Sequence, residues 1–191
     1  IAVMIVVLLF AVVGIRYNKQ TQETGMEALL FEMKQILKQD NDKKSDQTLS
    51  NLEQHLGKFK EGPQKQRARL MIADVYFQKN QFDKAINLYS DIASKTTAGE
   101  MSHDLSQLGL AYSYEGIKDF KKAIDRYKAI TGQKTFSLPL FNAYMSLSRC
   151  YELDNDKKNA LLVLREMITK FQNVKDLDKI NQQISRLESK S

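Results

Sequence analysis

The sequence has no tryptophan, a single cysteine and only two prolines among its 191 residues. A lone cysteine excludes an internal disulfide. Because Cys150 lies beside Tyr151 on an apolar face, we expect a small buried residue rather than a nucleophile. Alternating β-branched runs are missing after residue 15, so we expect few strands. The composition of the whole sequence, 42% hydrophobic and 27% charged, is typical of a soluble helical protein.

No long stretch of one charge sign occurs, although the formal net charge is +6. Acidic residues are interleaved with basic ones almost throughout, and the densest basic stretch, 58–69, is interrupted by Glu61. It surrounds Gly62-Pro63, a pair that favours a helix boundary. A strongly basic surface would attract nucleic acid or anionic lipid, but this pattern favours a solvated, lysine-rich surface. We therefore predict no nucleic-acid partner.

Signals for catalysis, metals and cofactors are also missing. His55 and His103 are far apart, and neither has a second metal-ligating residue at a spacing such as i+4. No glycine-rich phosphate loop, G-x-S-x-G or C-x-x-C motif occurs. The acidic run 154–156 lacks the glycine and distal glutamate of a calcium loop and fits a helix N-cap instead. The sequence predicts no enzyme, no cofactor, no metal site and no small-molecule substrate.

The first fifteen residues carry no charge. As a helix they would cover about 22 Å, whereas a bilayer core needs about 20 apolar residues. We predict a transmembrane anchor over residues 1–16 that continues upstream, then a linker or continuing helix over 17–25. A cleaved signal peptide and a buried core helix are the alternatives. Residues of the kind that lie at a membrane interface follow the segment: Arg16, Tyr17 and Lys19.

Three later stretches repeat one pattern. A tyrosine is followed nine residues later by a small alanine and four residues after that by a large apolar residue. The three sets are Tyr76-Ala85-Tyr89, Tyr114-Ala123-Tyr127 and Tyr151-Ala160-Leu164. A second small residue precedes each tyrosine by three positions: Ala73, Ala111 and Ser148. Because the tyrosines recur after 38 and then 37 residues, we predict stacked pairs of helices.

The predicted architecture is an all-α solenoid of antiparallel helix pairs. Three repeats cover 64–171, with helices at 64–78 and 82–95, 101–116 and 120–131, and 138–153 and 157–171. Apolar residues at helical spacing also predict a degenerate first hairpin over 26–62. A last amphipathic helix, at about 176–189, predicts a capping segment over 172–191.

This register resembles the tetratricopeptide repeat. In that family, small residues let the helices of a pair approach closely, and large residues fill the spaces between them. The resemblance implies such packing roles for Ala73, Tyr76, Ala85, Tyr89, Ala111, Tyr114, Ala123, Tyr127, Ser148, Tyr151, Ala160 and Leu164. The usual period of about 34 residues is exceeded here in the loops between hairpins. The terminal proline and first-helix tryptophan of the family motif are absent.

An N-terminal anchor followed by a short repeat domain resembles the YfgM-like ancillary subunits of the bacterial Sec translocon. The resemblance implies a single-pass inner-membrane protein whose periplasmic repeats bind a protein partner or an unfolded segment. It implies a membrane protein complex as partner and the lipid bilayer as the contact of residues 1–16. The alternative is a permanent structural subunit of a larger machine, such as a secretion system or flagellar motor.

In tetratricopeptide repeats the first helices of the pairs line a concave groove. Counting from the tyrosines, the register places twelve residues there: Arg67, Leu70, Asp74, Phe77, Leu105, Leu108, Tyr112, Glu115, Asn142, Met145, Arg149 and Glu152. This mixture suits an extended peptide or a partner helix; the alternative is that some of them contact the capping helix. Leu70, Leu108 and Met145 stand where some members have a lysine that clamps a terminal carboxylate, so we predict no such clamp.

Overall fold

A computed structural model describes residues 2–39, 45–171 and 177–189. The described residues form nine α-helices and no strand, so the all-α prediction is confirmed. The helices are α1 (Ala2–Gln39), α2 (Asp46–Leu56), α3 (Pro63–Gln78), α4 (Phe82–Ser94), α5 (Met101–Gly116), α6 (Phe120–Gly132), α7 (Phe141–Leu153), α8 (Lys157–Lys170) and α9 (Leu177–Ser189).

The chain divides into two compact units, 1–72 and 73–191, and the division falls within α3. In the first unit α1 packs against α2. The apolar side chains that these two helices bury are Leu30, Met33, Leu49 and Leu52. Helix α2 begins where the Ser45 hydroxyl accepts a hydrogen bond from the Thr48 amide at 3.1 Å, an N-cap that satisfies a free helix donor. Helix α3 begins at Pro63. Proline suits this position because the backbone N–H that it lacks would have no hydrogen-bond partner within the helix.

Helix α1 continues without a break from the apolar N-terminal segment into the polar residues after it. Of the two possibilities left open for 17–25, the structure has the continuing helix. No helix within 2–39, 45–171 and 177–189 is long and apolar enough to cross a bilayer. The division into an anchor, a first hairpin, repeats and a cap stays a prediction.

In the second unit each helix packs on the next one along the chain, from α4 to α9. The turns inside the three hairpins share one feature: a residue with left-handed backbone, Asn80, Lys118 or Asn155, with φ of 58°, 62° and 63°. After two of these turns an aspartate caps the next helix, because Asp119 accepts from the Lys122 amide and Asp156 from the Asn159 amide. The same turn therefore recurs in all three hairpins.

The loops between hairpins carry the length that exceeds the usual repeat. Asp104, fully buried in the first turn of α5, accepts hydrogen bonds from the Ser137 amide at 2.7 Å and the Ser137 hydroxyl at 2.8 Å. It also accepts from the Gly99 amide at 3.3 Å. This carboxylate ties two successive loops to α5. Helix α7 starts at 141 rather than at the predicted 138 because Pro139 disfavours helical backbone at Leu138, the residue before it.

Candidate protein-interaction surface

The small residues of the repeat pattern lie in the core. Ala73, Ala85, Ala111, Ala123, Ser148 and Ala160 are all at most 2% exposed. Tyr89, Tyr127 and Leu164 are buried beside them. The tyrosines that open the pattern, Tyr76, Tyr114 and Tyr151, are only half-buried. The Lys84 ammonium lies 5.2 Å from the Tyr76 ring centre and that of Lys122 lies 5.4 Å from the Tyr114 ring, which are cation–π distances.

Two core tyrosines extend from second helices to carboxylates on first helices. The Tyr89 hydroxyl donates to Asp74 Oδ1 at 2.6 Å, and the Tyr127 hydroxyl donates to Glu115 Oε2 at 3.2 Å. Burial, and then the adjacent carboxylate, raise the pKa of both phenols, so they stay protonated and donate. In these two hairpins the first helix is thereby held to the second by a polar contact as well as by packing.

The first helices of the second unit are linked to one another by a repeated contact. Phe77 of α3 meets Tyr112 of α5 with ring centres 6.5 Å apart. At the next two steps an ion pair replaces the aromatic contact: Glu115 with Arg149 at 2.6 Å, and Glu152 with Arg186 at 2.6 Å. We call these three contacts the rungs. They join residues of equivalent register, because Phe77, Glu115 and Glu152 recur at 38 and 37 residues, and their partners also recur at 37.

The rungs use five of the predicted groove residues for contacts within the chain. Glu152 pairs with Arg186 of α9. For this residue the alternative prediction, contact with the last helix, is the one that the structure has. In the first unit, Arg67 pairs with Glu27 at 3.1 Å, and Leu70 is only 7% exposed. Leu70 therefore lies in the core rather than in a groove, together with the other apolar side chains that α3 buries.

The remaining predicted groove residues stay accessible. Leu105 is 39% exposed on α5, and Leu108 and Met145 are half-buried. Asn142 and Asp74 are exposed. Met101, which the sequence reasoning did not include, is 54% exposed one turn before Leu105. Four side chains therefore form one stripe along α5 at helical spacing; we call Met101, Leu105, Leu108 and Tyr112 the α5 stripe.

Asp74 differs from the other carboxylates of this face. Although the residue as a whole is exposed, desolvation by the protein atoms around its carboxyl raises its pKa, and the hydrogen bond from Tyr89 opposes that rise. Glu115 and Glu152 each face an arginine of another helix, whereas across the described residues Asp74 has a hydroxyl as its hydrogen-bond partner and no cation within ion-pair distance. It lies one turn before Phe77 on the same face of α3.

Gly109 and Gly116 shape this face, and the sequence reasoning missed both. A Cβ atom on Gly109 would lie 2.4 Å from Cζ of Tyr89, and one on Gly116 would lie 2.6 Å from Cε1 of Phe82. These glycines leave room for the two aromatic rings of α4 against α5. A glycine inside a helix pattern was the available signal, since such a residue weakens the helix and usually has a packing reason.

No group of three or more potential metal ligands occurs in the part of the chain that the structure describes. Cys150 is buried, and burial together with nearby Glu115 raises the pKa of its thiol to about 12. The thiol therefore stays protonated at neutral pH and is a poor nucleophile. The chemistry that this face offers is recognition through apolar, aromatic and charged contacts.

Stacked helix pairs with an accessible face of this kind define an α-helical repeat protein of the tetratricopeptide type, a class that generally mediates protein–protein interaction and is typically not enzymatic. The chain belongs to the tetratricopeptide repeat-like domain family, whose model matches residues 1–137. The predicted repeat family is thereby confirmed. No curated protein sequence matches the chain.

Among solved structures, the chain is similar to the nearly identical TPR-like repeats of a Podosopora anserina kinesin light chain. The TM-score is 0.64 at 15% sequence identity, covering 87% of this chain and 85% of that one. A variant of the same repeats gives a TM-score of 0.63 at 16% identity, covering 87% and 84%. At this identity the similarity establishes the fold alone.

Proposed function

We propose that this chain is a membrane-anchored scaffold of the bacterial cell envelope that binds a protein segment along the first-helix face of its repeats. The observation that carries the binding role is the α5 stripe, a row of large apolar and aromatic side chains in which Met101 and Leu105 are exposed and Leu108 and Tyr112 are half-buried. Exposed apolar surface of this kind on a repeat fold favours contact with an apolar segment of another protein. The rungs hold the first helices in register, so the face is organised before a partner arrives, which lowers the entropic cost of binding.

Site-specific crosslinking in cells tests the binding role. A photo-reactive residue replaces Leu105 in one variant and Ala129, an exposed residue of α6, in the control. We expect the probe at 105 to give a discrete crosslinked protein that the probe at 129 does not give. A Leu105→Asp substitution, with the probe moved to Met101, should abolish that product. Equal crosslinking from both helices would contradict binding on the first-helix face.

The anchor rests on the sequence of the N-terminal segment. Residues 1–15 are uncharged, the family match includes them, and the side chains of Phe10, Val13 and Ile15 are exposed. Burial in a bilayer would remove this apolar surface from water. We expect the full chain to stay in the membrane pellet after alkaline carbonate extraction, and a charged Val12→Arg variant to be released more readily. Release of the unaltered chain would contradict the anchor.

The compartment and the association with protein translocation rest on the YfgM-like resemblance. A topology reporter fused after Ser191 should be active on the periplasmic side. Co-purification with the Sec translocon in mild detergent, lost in the Leu105→Asp variant, would support an ancillary role at that complex. A cytoplasmic reporter signal would overturn the periplasmic assignment and leave the binding role in place.

One further observation favours the second candidate, a permanent structural subunit. Ile117, Leu153 and Leu162 are 41%, 48% and 52% exposed, and none belongs to the predicted groove. Two of them lie at hairpin turns, where a neighbouring subunit could cover them. A permanent subunit would remain in a large particle after high-salt washing of detergent extracts, whereas a docking scaffold would be released.

A further inference from the structure

We infer that the first-helix face selects protein segments in which a lysine or arginine lies beside large apolar side chains, with Asp74 pairing the cation and the α5 stripe holding the apolar residues. This inference rests on the proposed binding function and adds to it the chemistry of the partner. The observation behind this inference is that the Asp74 carboxylate has no cation as a partner among the described residues.

Charge pairing along the face shows the difference. Arg149 neutralises Glu115, and Arg186 neutralises Glu152, each through two guanidinium nitrogens. Asp74 stands one turn before Phe77, and the rung there is aromatic rather than ionic, with Tyr112 at the register where the next repeat has Arg149. Asp74 itself stands at the register of Tyr112 and Arg149, which follow it after 38 and then 37 more residues, so it is not the counterpart of Glu115 or Glu152. It has no cation of its own among the described residues, and a partner cation could pair with it.

Asp74 is also close to the apolar surface. The Tyr89 ring whose hydroxyl binds Asp74 Oδ1 crosses α5 at Gly109, the residue next to Leu108. Phe77, one turn from Asp74, contacts Tyr112. Asp74 is thus connected to α5 through Tyr89, whose ring lies against Gly109, and it stands one turn from the residue that contacts Tyr112. We therefore expect one segment of a partner to reach both the carboxylate and the α5 stripe.

The geometry holds Asp74 ready for this pairing. The Tyr89 hydroxyl, whose residue is 2% exposed, fixes Oδ1 at 2.6 Å, while the exposure of Asp74 itself leaves the carboxylate accessible. A partly desolvated carboxylate gains more from a cation than a fully hydrated one, because the local dielectric screens less. Lysine or arginine on a helix or extended segment has the reach to place its charge there while its methylenes cover apolar surface.

The test is selection from a random peptide library displayed on phage, with the full chain in non-ionic detergent as bait. We expect the selected peptides to be enriched in lysine or arginine together with leucine, phenylalanine or methionine. In a resynthesised winner, norleucine in place of the basic residue should weaken binding about tenfold, the scale of a hydrogen bond to a charged group. Asp74→Asn should cause a similar loss, and combining the two changes should add little.

Asp74→Asn keeps an oxygen that can accept from Tyr89, and circular dichroism checks that the variant is folded. The matched control is Asp125→Asn, which removes an exposed carboxylate from α6 and should leave affinity unchanged. Selected peptides without a basic preference, or unchanged binding by Asp74→Asn, overturn this inference alone. If no peptide is selected, or if Leu105→Asp binds the winners as well as the unaltered chain does, the proposed binding function fails too.

Discussion

Arg149 of α7 and Glu115 of α5 form a two-point ion pair between successive repeats. Nε lies 2.6 Å from Oε1, and Nη2 lies 3.0 Å from Oε2. The same carboxylate accepts from the Tyr127 hydroxyl of α6, and the guanidinium also donates to the Ser146 hydroxyl at 3.0 Å. One contact therefore joins three helices, which makes it a structural part of the face rather than a free pair of charges.

Arg149→Ala should destabilise the fold by about 1–2 kcal/mol, because it leaves the half-buried Glu115 carboxylate without its cation. The matched control is Arg165→Ala. Arg165 pairs with Glu188 at 2.9 Å, but both side chains are at least half exposed, so its loss should cost less than about 0.5 kcal/mol. Urea unfolding of the two variants measures the difference. Equal losses would show that the rung contributes no more than a surface pair.

Gly109→Ala should destabilise the chain by about 1–3 kcal/mol, the range of an overpacked core. The added methyl would lie 2.4 Å from Tyr89, whose ring is buried and whose hydroxyl is held by Asp74. Gly132→Ala is the control, because nothing lies within 4 Å of its added Cβ. There the helix propensity of alanine should leave stability unchanged or raise it by about 0.5 kcal/mol. Thermal unfolding distinguishes the two, and a neutral Gly109→Ala would show that α4 and α5 are not in close contact.

The helix pairs could be predicted from sequence because each depends on local signals. Tyrosine and alanine at fixed spacing mark the two helices of a pair, and polar turns separate them. Most helix ends agree to within one residue with the structure. The start of α7 differs because Pro139 disfavours helical backbone at Leu138, a local signal that the predicted boundary did not use. The hydrogen bonds from Ser137 to Asp104, 33 residues away, are a distant contact about which a local pattern carries no information.

The rungs could not be predicted in the same way. Whether Glu115 meets Arg149 depends on how far one repeat is rotated relative to the next, which is set by the packing of whole helices. The recurrence of glutamate and of arginine after 37 residues was the available signal, but the groove prediction treats Glu115, Glu152 and Arg149 as separate residues and does not include Arg186. The groove assignment therefore combined residues that the chain uses internally, such as Glu152, with residues that stay accessible, such as Leu105.

Asp104→Ala should cost about 2–3 kcal/mol, because it leaves the amides of Ser137 and Gly99 without their buried acceptor. Faster hydrogen exchange at those two amides should accompany the loss, since the loops would no longer be tied to α5. Asp125→Ala, at an exposed position of α6, should change stability by less than about 0.5 kcal/mol. Unchanged exchange at Ser137 in Asp104→Ala would show that the loop is held by other contacts.

The difference in stability between the unaltered chain and Asp74→Asn should depend on pH. Burial raises the pKa of Asp74 above its ordinary 3.8, so between the unfolded and folded pKa values the folded chain binds more protons than the unfolded one. Stability contributed by this carboxyl therefore increases as pH falls through its folded pKa, and it is lowest at neutral pH, where the group is ionised. The asparagine of the variant does not titrate, so subtracting the two free energies of unfolding removes the other groups, which both proteins share.

We expect this difference to favour the unaltered chain progressively as the pH is lowered from 7 towards 4 in a urea unfolding series. Tyr89→Phe provides the matched change. The hydrogen bond from Tyr89 lowers the pKa of Asp74, so removing the hydroxyl should raise that pKa further and move the rise in stability to higher pH. A difference that is flat with pH, or that favours Asp74→Asn in acid, would show that Asp74 is no less hydrated in the folded chain than in the unfolded one. Such a result would also remove the low-dielectric argument for its pairing with a partner cation.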